Sequence, residues 1–526
     1  MNKVSPSSRE TGAIDCRARN GFARRPACPV LLSIVLVFGG CAVGPDFHPP
    51  TPPVGDAYIA QELPPHTVST PVPGGEAQQF LPGRDLPGQW WTLFGSSRLD
   101  ELIREAIEQY PDIAAQQAAL RVARENLRAG AGVFWPQIQG TGIAEREQVS
   151  GSSIAPGFPG FIANVFEATV NVSYTFDVFG GERRTVEELR AQAGEQNFKL
   201  EASYLTLTAN LAATTIQLAA LHDQIHATQE ILALEEKILT GVERQFVLGS
   251  QPRAVVLQQR AALAATRATL PGLQQQFAVA EHQLAVLTGH FPRDAGRAEM
   301  SLADFTLPGD LPVSLPSALV AQRPDIRAQE MRLREANAAV GVATANRLPQ
   351  VTLTGAFGGA SLNFGTLFQP QSATWNFAAG ITQPLFTGGT LRARQRSAIA
   401  SLEQVQAQYR LVVLQAFQNV ADTLTALDND AQALRAQIDA QDAAQASLDL
   451  IQKQYAHGAA NFVALLTAQQ SYQQARLAGI SATALRYIDT ITLFQALGGG
   501  WWNRQDAGTL KVAASSESVR QQPRML

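Results

Sequence analysis

The chain has 526 residues, of which 41 are Lys or Arg and 45 are Asp or Glu, and its formal net charge is −4. Because nucleic-acid binding needs clustered basic side chains that neutralise phosphates, this charge balance gives no reason to expect a nucleic-acid partner. The three cysteines, Cys16, Cys28 and Cys41, all lie at the N-terminus, so the rest of the chain has neither a disulfide framework nor a cysteine metal site.

The N-terminus has the pattern of a secreted lipoprotein. Arginines precede an apolar run at 29–40, which at about a dozen residues is too short to span a bilayer as a helix. Small residues then lead directly into Cys41, which resembles a bacterial lipoprotein box, although Phe38 stands where an aliphatic residue is commoner. We therefore predict a lipoprotein signal peptide at 1–40 and lipid attachment at Cys41. The alternative is an ordinary signal peptide with an incidental cysteine.

Both flanks of the main body are predicted to be irregular. Residues 41–95 are predicted to form an acylated, Pro-rich extended segment, because the stretch to about residue 88 is rich in proline and glycine. Residues 501–526 follow three glycines at the end of the last helical pattern. Their polar composition predicts a disordered tail.

Between these flanks the chain contains the same succession of landmarks twice. A Pro-Asp-Ile triplet starts a helical pattern at Pro111 and again at Pro324, and each pattern ends at a Pro-Gln pair. A Gly-Gly turn, a long helix, a glycine break and a closing glycine follow in the same order in both halves. This pattern predicts a tandem duplication, with a first repeat at 96–305 and a second repeat at 306–500.

Each repeat is predicted to contain one β-hairpin, at 137–176 and at 350–386. Apolar residues alternate strictly from Phe166 to Phe176, which is the period and length of a membrane β-strand. Four strands cannot close a barrel, and an open sheet edge cannot face lipid. The sequence therefore predicts that several chains pool their strands, and three chains would contribute twelve.

Long helices follow each hairpin. No proline interrupts the stretch from about Glu182 to Leu248, and a helix of this length would reach roughly 100 Å. Apolar residues recur every seven positions, which predicts helices that pack along shared seams. The predicted seam residues are Leu211, Leu218, Ile225, Leu232, Leu239 and Phe246 in the first repeat and Val413, Val420, Leu427, Leu434, Leu448 and Tyr455 in the second.

Together these features resemble the TolC-like outer-membrane factor family, in particular the acylated, NodT-type branch that serves resistance-nodulation-division efflux pumps. The resemblance rests on the segment 41–47, on Trp90-Trp91-Thr92-Leu93-Phe94, and on the helix breaks at Gly249 and Gly458. It implies a mainly α fold with a membrane β-barrel. Long helices would form a trimeric periplasmic α-barrel, and four strands per chain would contribute to a twelve-stranded transmembrane β-barrel.

The resemblance also implies the function. The protein would be the passive outer-membrane exit channel of a tripartite efflux pump for drugs, dyes or metabolites in a Gram-negative bacterium, lipid-anchored and with a large periplasmic portion. Its partners would be two further copies of itself, a periplasmic adaptor, an inner-membrane resistance-nodulation-division transporter and outer-membrane lipid. No cofactor is expected apart from the covalent lipid on Cys41.

The resemblance assigns two groups of site residues. The helix breaks would be periplasmic tips that dock the adaptor, since glycine permits a sharp turn between antiparallel helices. Family members narrow the closed pore after the second tip with an aliphatic residue and often an aspartate ring. Here Val463 keeps the aliphatic element, but Thr467 replaces the carboxylate. The predicted docking residues are Leu248, Gly249, Ser250, Gln251, His457, Gly458, Ala459 and Ala460.

Other functions remain open at this point. An exit duct for ATP-driven peptide or protein export would have the same fold, and a periplasmic adaptor or a coiled-coil lipoprotein would share some features. An enzyme is not expected. His222 and His226 approach the spacing of a zinc-protease helix, but Asp223 stands where glutamate is required and Ile225 belongs to the heptad seam.

Overall fold

A computed structural model of the protein describes residues 42–53, 57–60, 64–153, 155–294 and 300–504. The predicted signal peptide at 1–40, Cys41 and residues 505–526 of the predicted tail lie outside the described residues. The described chain is mainly helical. No helix within it is both long and apolar enough to cross a membrane.

The helices and strands occur in the following order along the chain. The helices are α1 (Ser97–Gln109), α2 (Pro111–Ala131), α3 (Gly181–Val247), α4 (Arg253–Leu287), α5 (Pro316–Gln322), α6 (Pro324–Ala345), α7 (Thr390–Ala456) and α8 (Phe462–Ala496). The strands are β1 (Gln79–Pro82), β2 (Gln137–Val149), β3 (Phe161–Phe176), β4 (Asp310–Val313), β5 (Gln350–Ser361) and β6 (Ala373–Thr382).

The two halves have the same order of elements and nearly the same lengths. In the first half α2 is followed by β2, β3, α3 and α4, and in the second half α6 is followed by β5, β6, α7 and α8. The helices α3 and α7 have 67 residues each, and α4 and α8 have 35 each. Pro111 and Pro324 occupy the first turns of α2 and α6, where a missing N–H costs nothing.

The long helices pack as two antiparallel hairpins, α3 with α4 and α7 with α8, and α3 also contacts α6 and α8. The predicted seam of the second repeat is buried over most of its length. In α3, Leu211 and Leu218 are buried, but Phe246, the last predicted seam residue, is exposed.

In the half of α3 nearest to its C-terminal end, the predicted seam residues lie at the edge of the contact surface. Ile225, Leu232 and Leu239 are only half-buried there. The fully buried seam runs through Thr228, Glu235 and Val242, three positions later in the heptad. In this region α3 contacts α4 through Gln259 and α8 through Arg476, and the positions that face both helices are the most buried.

The four longer strands form one antiparallel sheet in the order β2-β3-β5-β6. The two hairpins are joined through β3 and β5, with Val170 opposite Phe357. Strand β6 ends at Thr382, before the predicted hairpin end at 386, because Pro384 cannot donate a ladder hydrogen bond.

The prediction of an unpacked extended segment at 41–95 was wrong for its second half. Strand β1 pairs in parallel with β4, with Gln79 opposite Asp310, although the two lie in different parts of the sequence. A 3-10 helix at Trp90–Phe94 then buries its aromatic side chains in the main core. Proline-rich composition therefore did not prevent packing, because long-range contacts supplied the hydrogen bonds and the apolar surroundings.

The first residues of the predicted disordered tail are packed against the main body. Trp501–Asn503 forms a 3-10 helix. The Trp501 indole donates to the Gln322 carbonyl at 2.6 Å, and the Asn503 amide donates to the Leu86 carbonyl at 2.7 Å. The prediction missed this segment because its partners lie far away in the sequence.

Candidate functional site

The first helix tip is a tight turn between α3 and α4. Gly249 has a φ of +74°, and its N–H and that of Ser250 donate to the carbonyls of Phe246 and Gln245, both at 2.9 Å. This is a Schellman arrangement, which satisfies the last carbonyls of the helix. A Cβ on Gly249 would meet nothing within 4 Å, so the glycine is required by its backbone conformation and not by lack of space.

The second tip repeats this geometry between α7 and α8. Gly458 has a φ of +76°, and its N–H donates to the Tyr455 carbonyl at 3.0 Å. The N–H of Ala459 donates to the Gln454 carbonyl at 2.8 Å. Asn461 then caps α8 by accepting from the Ala464 N–H at 2.9 Å. The two predicted helix breaks are therefore equivalent turns of the two halves.

The predicted docking residues lie at the surface of these turns. Six are exposed, and Gln251 and Ala460 are half-buried. The first tip presents the larger apolar surface, since Leu248 is 81% exposed and Val247, which the sequence analysis did not single out, is 82% exposed. Exposed aliphatic side chains at the end of a helical hairpin are suited to contact another protein.

The two tips share a small apolar core. Val242 of α3 and Val256 of α4 pack with Leu448 of α7 and Phe462 of α8. Nearer the turns the Tyr455 hydroxyl donates to the Gln245 side chain at 3.3 Å, which links α7 to α3. The four helix ends therefore form one packed unit.

The two predicted gate residues lie on one face of α8, one turn apart. Both are exposed, and the Thr467 hydroxyl donates to the Val463 carbonyl at 3.0 Å. They line an open groove of about 460 Å³ between α7 and α8, together with Ser447 and Ile451. Because the groove lining is uncharged, this surface has no carboxylate that could attract cations.

The two faces of the four-stranded sheet differ in polarity. Alternate residues of a strand point to opposite faces, and the register places the polar residues of β3 on the same face as polar and small residues of the neighbouring strands. On one face the Asn171 amide donates to the Thr141 hydroxyl at 2.9 Å. The opposite face carries Val170, Val172, Phe357, Trp375, Phe377 and Ile381. The sheet therefore has one face suited to water and one suited to lipid.

The first described residues, from Ala42 onward, are held at the end of β3. The Val43 N–H donates to the Phe179 carbonyl at 3.0 Å, and Arg184 of α3 donates to the Val43 carbonyl and, at 2.7 Å, to Asp46. A Cβ on Gly180 would lie 2.5 Å from the Cα of Ala42. Ala42 is thus held where the sheet meets the long helices, and Cys41 as lipid-attachment residue stays a prediction.

The histidines of α3 make ordinary surface contacts. His222 lies 3.3 Å from Asp223, and His226 lies 3.6 Å from Glu230. Asp223 accepts hydrogen bonds from Ser301 and from the Leu302 N–H. Across the part of the chain that the structure describes, no group of three or more His, Cys, Asp or Glu side chains is placed to hold a metal ion.

Comparison with known proteins decides the family. The family described as outer membrane efflux protein matches residues 102–290 and 315–499, one segment in each half. The chain belongs to the outer membrane efflux protein family. The pyoverdine export outer membrane protein OpmQ of Pseudomonas putida is 29% identical over 443 residues, which cover 83% of this chain and 94% of OpmQ. The cation efflux system protein CusC of Escherichia coli O6:H1 is 27% identical over 473 residues, or 89% of this chain and 97% of CusC.

The fold of this family member is similar to that of the outer-membrane channel OprN. The TM-score is 0.79 at 25% identity, over 88% of this chain and 100% of the OprN chain. These matches confirm the predicted family, the outer-membrane location and the role as an efflux exit channel. An adaptor with a single helical hairpin is contradicted, because this chain has two long hairpins and the family match covers both.

Proposed function

We propose that three copies of this chain assemble into one duct that passes small molecules from an inner-membrane pump through the periplasm and out across the outer membrane. The observation that carries the proposal is the four-stranded sheet whose edge strands, β2 and β6, have no strand neighbour within the described chain, set at the end of helices about 100 Å long. The duct is passive, because the pump supplies the energy and this protein supplies a water-filled path with a gate.

Three such sheets joined edge to edge, β6 of one chain to β2 of the next, would close a barrel of twelve strands. Closure pairs the backbone groups of both edges, which a lipid environment requires. The face with Trp375 would then contact lipid, and the face with Asn171 would line the water-filled path. The long helices of the three chains would continue the duct as an α-barrel in the periplasm.

A lipid on Cys41 fits this arrangement. Ala42, the next residue, lies at Gly180 beside the end of β3, which would be the inner surface of the outer membrane. An acyl chain attached there would enter the adjoining leaflet and add to the anchoring by the strands. No further cofactor is part of the proposal.

The tips would dock a periplasmic adaptor, which joins the duct to a resistance-nodulation-division transporter. The cargo class we propose is small molecules such as drugs, dyes and metabolites. OpmQ is described as a pyoverdine exporter and CusC as a cation efflux protein, so relatives of comparable similarity differ in cargo. We therefore propose that the pump, and not this protein, selects the cargo.

The function is tested by reversible crosslinking in intact cells, recovery of the protein and identification of what is attached to it. We expect an adaptor together with a proton-driven inner-membrane transporter. Recovery of an ATP-driven exporter instead would move the cargo to peptides or proteins. Absence of the trimer from the outer membrane, with neither partner recovered, would refute the proposed duct.

The same experiment tests docking at the first tip through Leu248→Glu. A carboxylate at this exposed apolar position has to be desolvated against the adaptor, so we expect the crosslinked adaptor to fall at least about tenfold while the trimer persists. Thr240→Glu adds the same charge to an exposed site two turns away on α3 and is the matched control. Equal yields for the two variants would show that Leu248 does not dock the adaptor.

The gate is tested by Thr467→Asp. If three copies of this position meet in the closed pore, three carboxylates would concentrate cations there. We expect single-channel recordings to show stronger cation selectivity and block by divalent cations. Thr240→Asp places the same charge on an exposed threonine of α3, outside the groove that Val463 and Thr467 line, and should have little effect. Conductance and cation dependence that stay the same in Thr467→Asp would exclude this position from the constriction.

A further inference from the structure

A buried polar layer interrupts the helix packing above the tip core. Glu235 of α3 is 2% exposed, and Gln259 and Thr266 of α4 and Gln469 of α8 are also buried. Glu235 occupies a heptad seam position, where an apolar residue is the rule. Buried polar groups in a helical seam destabilise the packing unless they are hydrogen-bonded to each other.

Several contacts tie the layer together across three helices. The Thr266 hydroxyl lies 3.0 Å from the Glu235 carboxyl and 3.3 Å from the Gln473 side-chain oxygen, so it can donate to either. The Gln259 amide donates to the Glu235 backbone carbonyl at 3.2 Å. Gln469 lies one turn before Gln473, on the same face of α8. The layer therefore joins α8 to the α3–α4 hairpin.

The layer is short of hydrogen-bond donors. One carboxyl oxygen of Glu235, the side-chain oxygen of Gln259 and both amide atoms of Gln469 have no partner among the described residues. Three of these four atoms are oxygens. A protonated Glu235 would add a donor for a neighbouring amide oxygen, whereas an ionised Glu235 is only an acceptor. Burial raises the pKa of the Glu235 carboxyl, and the hydrogen bond from Thr266 offsets part of this effect.

Charged groups near the layer are paired with one another and not with Glu235. Arg267 of α4 pairs with Glu236 and Arg260 with Glu243, while Arg476 of α8 pairs with Glu230. Lys237 on α3 itself is exposed, and the charged residues of α7 at this level, Asp442 and Asp449, are exposed as well. None of these contacts supplies a cation to the buried carboxyl.

We propose that Glu235 is a positioning residue for the closed tip: its neutral carboxyl accepts from Thr266 and stays buried where the α3–α4 hairpin packs on α8, and its ionisation admits water and loosens α8. This inference rests on the proposed gate at the tip of α8. The closed packing binds the proton more tightly than a hydrated layer does. The stability that the neutral Glu235 gives to the closed packing is therefore fully present below the ordinary pKa of a carboxyl. It is lost as the pH rises through the raised pKa of Glu235.

The test measures water access to the layer in the full-length trimer. Ala262 lies between Gln259 and Thr266 on the buried face of α4, and its neighbour Ala261 is exposed. We compare the rates at which Ala262→Cys and Ala261→Cys react with a charged methanethiosulfonate reagent at rising pH. The ratio of the two rates cancels the pH dependence of the thiol itself. The unsubstituted chain, whose cysteines all lie in the first 41 residues, gives the background.

With Glu235 present, we expect the ratio of Ala262→Cys to Ala261→Cys rates to rise with pH by at most about tenfold per pH unit, the limit for one proton. Glu235→Gln keeps the shape and the donor without the charge, so the ratio should stay low and flat. Glu236→Gln removes the neighbouring exposed carboxyl and should leave the rise in place.

A ratio that does not change with pH in the presence of Glu235 would overturn the proposal, as would an equal rise in Glu235→Gln. The labelling does not depend on conduction. Trimers that conduct in planar bilayers without a pH-dependent ratio would therefore refute the role of Glu235 and leave the proposed duct intact.

Discussion

Arg486→Met is expected to destabilise the protein by about 3–5 kcal/mol, because it removes a buried guanidinium that fastens the N-terminal segment to α8. Arg486 is fully buried and donates to the carbonyls of Gly74 and Glu76, both at 3.0 Å, and to the Gln78 side chain at 3.1 Å. Methionine fills a similar volume but leaves these buried acceptors unpaired. Burial lowers the pKa of the Arg486 guanidinium, and the nearby Glu76 carboxylate opposes this shift.

The measurement is the denaturant midpoint of the solubilised protein, followed by far-UV circular dichroism. Arg435→Met is the matched control, since Arg435 of α7 donates to the Ser69 carbonyl of the same segment but is half-exposed. We expect this control to lose less than about 1 kcal/mol. A loss in Arg486→Met no larger than in the control would show that the buried network does not secure the segment.

Trp90→Ala is expected to cost about 3–5 kcal/mol through the cavity that it leaves in the main core. The Trp90 ring is almost fully buried, 5.7 Å from the Phe494 ring of α8 and 6.3 Å from that of Phe94. These aromatic contacts join the segment before α1 to the last helix. Their loss should lower the amount of folded protein in the outer membrane and, with it, efflux.

Leu93→Ala, in the same 3-10 helix, is the control for Trp90→Ala. Leu93 is 37% exposed, so its truncation should cost less than about 1 kcal/mol. Thermal unfolding of the protein and its abundance in outer-membrane fractions are the two readouts. If the two variants unfold at the same temperature, the aromatic cluster does not stabilise this region.

The repeats, strands and helix tips could be predicted because each depends on a local pattern. Strict alternation marks β3, and glycines at positive φ end α3 and α7 at Gly249 and Gly458. The gate residues could be placed only through the resemblance to the family. Glu235 could not be found by a search for apolar heptads, because it is a charged residue type at a seam position.

The parts that were missed depend on partners far away in the sequence. Gln79 pairs with Asp310, Arg486 binds Gly74, and Trp501 donates to Gln322. From its sequence alone, a segment rich in proline and glycine is predicted to be irregular. Its packing can be seen only when the surface that it contacts is known.

The sequence by itself determined that this protein is a duplicated chain with two β-hairpins and two long helical hairpins, because periodicity and turn residues act over a few neighbouring positions. Only the tertiary structure decided which seam of α3 is deepest, how the N-terminal segment is packed, and that Glu235 lies between two helical hairpins. These features arise from helices meeting at particular rotations, and the free energy of that packing depends on all the surfaces in contact at once.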